Sequence, residues 1–204
     1  MSMPALLSQF GLDTHRYVTT DGRVIFDGVS STATGFAPPE FGSVSAMTSH
    51  TFHGDGPEPE DEPSAAPWWH DASEMERHTS AVAAAFPRFV LLEDDGERPP
   101  AWYGKIDTGR GVFTVVVALR RDRGLPFVKV IRGGKLRLPT GRSSISSPHL
   151  YLNGNLCIAD QSDWNPDEAT VATAIAWTAH WLAAFTEWRM TRRWPIEGFH
   201  NDAA

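Results

Sequence analysis

Apolar residues, joined by one threonine, recur at three- and four-residue steps near the end of the chain: Val171, Ala174, Ile175, Thr178, Leu182, Phe185 and Trp188. That period places all seven on one helical face, which Trp177, His180, Trp181 and Ala184 widen. Asn165-Pro166-Asp167-Glu168 supplies the start signals: an Asn able to cap, a Pro in the first turn, and two acids on the positive end of the helix dipole. The pattern predicts a helix from there to about residue 190.

Upstream the reading changes to strands. Short apolar, β-branched runs cover 89–92, 102–106, 112–119 and 125–131. Turn-forming stretches separate them: Asp94-Asp95-Gly96, 107–111 with its glycines, 120–124, and Arg132-Gly133-Gly134-Lys135. Consecutive hairpins of this kind predict an antiparallel meander of four strands. An alanine-rich stretch over about 73–86 precedes them, with Ser73-x-x-Glu76 reading as a capping box and Pro87 as the stop. It predicts a helix packed on the sheet. Residues 140–165 carry no regular pattern, and a loop that long inside a compact domain is either functional or misread. The order helix, meander, long loop, helix reads as α+β.

The N-terminal part is different. Arg16, Tyr17, Val18 and residues 24–26 flank Asp21-Gly22 and predict a short hairpin. Residues 30–49 are rich in Ser, Thr, Gly and Pro and lack a period. Residues 53–63 hold five acids and three prolines with no Lys or Arg, the composition of an extended, solvated linker. The expected division is an N-terminal extension of unknown role over 1–53, an acidic Pro-rich linker over 54–66, and a folded domain over 67–204.

Charge sharpens that division. The net charge is −7, but residues 1–100 carry 5 basic and 16 acidic groups, and the remainder 13 basic and 9 acidic. The chain as a whole does not look like a nucleic-acid binder, and its second half suits an acidic partner. Arg120, Arg121, Arg123, Lys129, Arg132, Lys135, Arg137 and Arg142 supply most of that charge on turns and exposed strand, a solvated surface or a docking face. One cysteine excludes an internal disulfide framework and a multi-cysteine zinc site. No run approaches the roughly 18 apolar residues of a membrane helix, and the start lacks a basic, apolar leader pattern, so a reducing cytoplasm is the expected setting. Gly133-Gly134-Lys135 lacks the spacing of a phosphate-binding loop.

Cys157 is the leading candidate for chemistry. It lies in the irregular segment after Asn153-Gly154, with His149 eight residues upstream and Asp160 and Asp163 close behind. A lone cysteine is also often a small buried hydrophobe. Three chemistries suit it. A thiol hydrolase needs a His base and an orienting acid or amide. Metal binding needs more soft ligands than this segment holds. Acyl transfer through a thioester needs an accessible thiol, an oxyanion donor, and a way to deprotonate the attacking amine.

Pro148-His149-Leu150-Tyr151-Leu152-Asn153-Gly154-Asn155-Leu156-Cys157, followed by Trp164-Asn165-Pro166, resembles the active-site stretch of ubiquitin-conjugating enzymes. In that family a His-Pro-Asn tripeptide precedes a Tyr-x-Asn-Gly-x-(Ile/Leu)-Cys run, and Trp-x-Pro opens the next helix. Ser147-Pro148-His149 falls on the tripeptide: the Pro matches, and His149 stands where the family has Asn. The resemblance covers roughly 72–200. The Trp-rich helix with Trp194-Pro195 and His200 resembles the prokaryotic branch, whose members occur in antiphage CBASS operons and in bacterial ubiquitin-like conjugation operons.

The resemblance implies a conjugating enzyme that carries a protein C-terminus as a thioester on Cys157 and passes it to an amine. His149 is then the oxyanion donor or the proton acceptor. Asn153 shapes the loop, Asp160 and Asp163 orient the amine or merely cap turns, Trp164 packs beneath the loop, and His200 folds back toward it or frays. The implied partners are a ubiquitin-activating-like enzyme and either a ubiquitin-like modifier or a cGAS-like nucleotidyltransferase. No cofactor is implied, because the partner spends the ATP. Trp177, Trp181, Trp188 and His180 read as core. The alternative is an inactive relative that binds a partner without chemistry, which a fully buried Cys157 would favour.

Overall fold

The computed structural model describes residues 49–52, 56–62 and 66–195, with the backbone of strands at 16–19, 24–26, 44–46 and 198–199. Strands β1 (Arg16–Thr19), β2 (Val24–Phe26) and β3 (Val44–Ala46) form a small antiparallel sheet in the order β2-β1-β3. Arg16 pairs with Phe26, the hairpin expected there, although its Asp21-Gly22 turn lies outside the described residues. A two-residue strand β4 (His50–Thr51) follows.

Helix α1 covers Ala72–Ala85. Its cap corrects the sequence reading: the Asp71 side chain accepts from the main-chain N–H groups of Ser73 and Glu74, and Ser73 donates its hydroxyl to the same carboxylate. A carboxylate at the cap satisfies two orphan donors and suits the dipole better than the Ser73 hydroxyl would. Glu76 instead accepts from Ser80.

The four-stranded sheet runs in sequence order: β5 (Val90–Leu92), β6 (Ala101–Asp107), β7 (Val112–Ala118) and β8 (Phe127–Arg132), all antiparallel. Alternation along β6 and β7 sends Trp102, Ile106, Phe113, Val115 and Val117 to one buried face, while Tyr103 and Lys105 point outward. Alternation puts position 104 on the face of Trp102, and it holds a glycine where a side chain has no room: an added Cβ would lie 2.5 Å from the Phe89 ring.

Helix α2, Val171–Thr191, packs its apolar face on that sheet, with Phe185 edge-on to Phe113 at 6.0 Å. Trp177, Trp181 and Leu182 are fully buried. The helix starts later than Asn165-Pro166 predicts. Asn165 does open a turn, accepting from Glu168 and Ala169. The Arg77 guanidinium of α1 then takes the carbonyls of Pro166 and Ala169, and the helix begins after an extended Thr170 whose side chain forms a reciprocal capping box with Thr173. His78 of α1 closes the joint by accepting from the Val171 N–H at 3.2 Å. Burial, with the neighbouring Arg77 charge, pulls its pKa down to about 4, so the ring stays a neutral acceptor.

The segment expected to lack regular structure begins with a hairpin. Strands β9 (Arg137–Thr140) and β10 (Ser143–Ser146) pair Leu138 with Ile145 across a Gly141-Arg142 turn, where Gly141 has φ +62°. Its serines and mostly exposed faces leave no apolar alternation to read. Strand β11 (Gly198–Phe199) pairs with β4, tying the chain beyond α2 to the N-terminal segment.

Candidate active site

Residues 147–157 fold back on themselves as a narrow irregular hairpin. Asn153-Gly154 makes its turn: the Asn153 side chain accepts from the Asn155 N–H, Gly154 takes φ +83°, and its N–H reaches the Tyr151 carbonyl at 2.8 Å. Tyr151 N–H donates to the Asn155 carbonyl, and Leu150 and Leu156 form an antiparallel bridge. The next rung joins the two candidates: the Cys157 N–H donates to the His149 carbonyl at 3.0 Å. Trp181 of α2 donates its indole N–H to that same carbonyl. Leu156 N–H reaches Val128 of β8, so the cysteine arm is anchored to the sheet. His149 itself sits at φ +55°, a left-handed conformation uncommon outside glycine, held by those two bonds.

Cys157 is wholly buried, with its thiol 3.8 Å from the Ala159 carbonyl. Tyr151 lies beside it. Burial pushes the Tyr151 phenol above its ordinary pKa, and a hydrogen bond with the Cys157 side chain pushes it further, while Gln161 acts in the opposite direction. A phenol that keeps its proton is a donor available to a thiolate. The His149 ring stands 5.0 Å from that of Trp194 and 5.8 Å from that of Phe52.

Of the other expected residues, Asn153 shapes the turn and also donates to Glu58. Asp160 caps the 3-10 turn Gln161–Asp163 through Ser162. Asp163 accepts from the Thr51 N–H at 2.7 Å. Trp164 lies edge-on to Trp177 and donates to the Arg123 carbonyl in the β7–β8 connection. His200 lies outside the described residues. His180 is buried on α2 with its Nδ1 3.0 Å from Nε2 of His50, a pair that no sequence spacing announces.

Residues 56–62 cross this region. Gly56 accepts from the Leu152 N–H, and one Glu58 carboxylate oxygen takes the side-chain amides of both Asn153 and Asn155. Arg120, 2% exposed, donates to the carbonyls of Pro59 and Glu60 and pairs with Asp122. Asp61 accepts from the N–H groups of Arg121 and Asp122. Residues 56–62 of the acidic stretch, though mostly exposed, are therefore bonded to the hairpin and to the β7–β8 connection rather than free in solvent.

A family model described as Type II CBASS E2 protein matches residues 78–201, a span that holds α1 from its middle, the sheet, the Cys157 hairpin and α2. The chain belongs to this family. No curated protein and no solved structure matches it. Membership makes this CBASS E2 protein a conjugating-type component of CBASS that works in a conjugation system with partners. Among the described residues, two α-helices and a four-stranded antiparallel sheet make an α+β architecture compatible with a ubiquitin-conjugating fold. Among the described residues, no helix is long and apolar enough to cross a membrane, and no cluster of His, Cys, Asp and Glu is suited to a metal.

The sequence reading passed over Tyr151 as a site residue, although it stands inside the quoted motif. Arg120, read from the sequence as part of an exposed basic set, is instead buried, and Glu58, read as part of a solvated linker, is bonded; the partners that decide this lie about 60 to 100 positions away in the chain.

Proposed function

We propose that this protein carries a protein C-terminus as a thioester on Cys157 and passes it to an amine. The Cys157 sulfur attacks the carbonyl of a thioester held by a ubiquitin-activating-like enzyme, whose own sulfur leaves. An amine then attacks the new thioester and the Cys157 thiolate leaves. The observation that carries the reading is the hairpin rung that sets Cys157 against His149 inside the matched family span. His149 serves as oxyanion donor or as proton acceptor for the amine. The Tyr151 hydroxyl steadies the thiolate. Asn153 shapes the turn, Asp160 and Asp163 order the following one, Trp164 supports it, and His200 is kept as a supporting residue.

The carried protein is a cGAS-like nucleotidyltransferase or a ubiquitin-like modifier, in cytoplasmic antiphage defence, with no nucleic acid and no cofactor bound by this chain. In this reading the catalytic domain spans 67–204, preceded by the acidic segment 54–66 and the extension 1–53.

Incubation with the activating enzyme, ATP and the carried protein is expected to give an adduct that reductant removes. Cys157→Ser should convert it to a reductant-stable ester. Adduct formation unaffected by Cys157→Ser would overturn the assignment.

One observation favours a second reading, a binding module without chemistry: Cys157 has no exposed surface. That reading expects no adduct under any condition and a Cys157 that resists iodoacetamide even when residues 56–62 are loosened.

A further inference from the structure

We propose that residues 56–62 are a displaceable strap that occupies a peptide groove over the Cys157 hairpin, with Glu58 as its latch. This rests on the reading of Cys157 as acyl carrier.

The groove is built for an extended acidic chain. Its floor offers the Leu152 N–H to a main-chain carbonyl, two side-chain amides to one carboxylate, and the N–H pair of Arg121 and Asp122 to another. A buried guanidinium takes two successive carbonyls, those of Pro59 and Glu60. Arg120 is oriented for this by Asp122 and by the Phe127 ring beneath it, 4.7 Å from the guanidinium carbon. These are features of a peptide site, and the chain fills it in cis.

Two observations tie the strap to the hairpin that carries the reactive group. Glu58 bonds both asparagines of the turn that returns the chain to Cys157. Its charge reaches Tyr151, the residue whose phenol meets the Cys157 thiol. The turn itself is exposed, with Leu152 at 79%, while Cys157 two residues beyond Asn155 is at 0%.

The latch is also releasable. Its contacts are polar and lie at a half-exposed carboxylate, and the prolines 57 and 59 have no N–H groups to add to the strap's hold. Segments of this kind open locally at low cost while the fold stays intact. An incoming acidic C-terminal tail has the chemistry to replace it in the same groove.

The test is the rate of iodoacetamide modification of the full-length chain, read by intact mass, since Cys157 is its only cysteine. The unmodified protein should react slowly. Glu58→Ala, which removes two charge-assisted hydrogen bonds, should react about tenfold faster, with Tm within about 3 °C and Glu58→Gln intermediate. Hydrogen exchange at 152–156 should rise in parallel. The exposed control Glu93→Ala should match the unmodified chain. A Glu58→Ala protein that exchanges faster at 152–156 but alkylates no faster would overturn the proposal, as would an unmodified chain reacting at the rate of a free thiol. Alkylation needs no activating enzyme. Faster alkylation of Glu58→Ala without thioester on either protein would remove the acyl-carrier reading and leave the strap.

Discussion

The main-chain N–H of Cys157 donates to the carbonyl of His149 at 3.0 Å, so residues eight apart in sequence face each other on one hairpin rung. The rung fixes backbone to backbone and leaves both side chains to be set by neighbours: Tyr151 for the thiol, Phe52 and Trp194 for the imidazole.

If His149 serves the transfer step, its loss should separate loading from discharge. His149→Ala is expected to keep thioester formation within about twofold. Discharge to free lysine should slow by about 10²-fold, the scale of one lost oxyanion donor. Single-turnover discharge of the preloaded protein measures this, and equal slowing of both steps would argue for a structural role.

Tyr151→Phe removes a donor to the sulfur. A hydrogen bond to the charged form lowers a pKa, so its removal should raise that of the thiol. The pH profile of alkylation, measured in the Glu58→Ala background, should move toward alkaline pH. An unchanged profile would separate Tyr151 from the thiolate.

Stability should fall in mild acid through His78. Its folded pKa, about 4, lies below the ordinary value of 6.5, so the unfolded chain binds the proton first. The contribution is fully present above 6.5, is lost at up to about 1.4 kcal/mol per pH unit as pH falls, and levels off near 4. Urea titrations at pH 7, 6, 5 and 4 should show a smaller acid loss for His78→Gln than for the unaltered chain.

Gly104→Ala places a methyl group 2.5 Å from the Phe89 ring. Overpacking of this kind is expected to cost about 1–3 kcal/mol, read as a lower Tm. Adding Phe89→Leu should recover part of the loss.

Helix α2 was legible because every third or fourth side chain from Val171 to Trp188 is apolar, and a period of that length survives any context. Its start was not, because Asn165-Pro166-Asp167-Glu168 holds every local start signal while the Arg77 guanidinium, far away in sequence, claims the carbonyls of Pro166 and Ala169. The meander β5–β8 was legible from turns and β-branched runs. The hairpin β9–β10 was not, since Ser143, Ser144 and Ser146 carry no alternation.

By itself the sequence determined the α+β order, the apolar stripe of α2, and the Tyr-Leu-Asn-Gly-Asn-Leu-Cys signature that marks the candidate site. These are local properties, written in period and spacing. Only the tertiary structure decided that His50 meets His180 and that residues 56–62, composed like a solvated linker, lie bonded across the Cys157 hairpin. Composition sets whether a segment can form a core of its own. Whether it finds donors already arranged on another part of the chain depends on a groove that exists only once the sheet and the hairpin have folded.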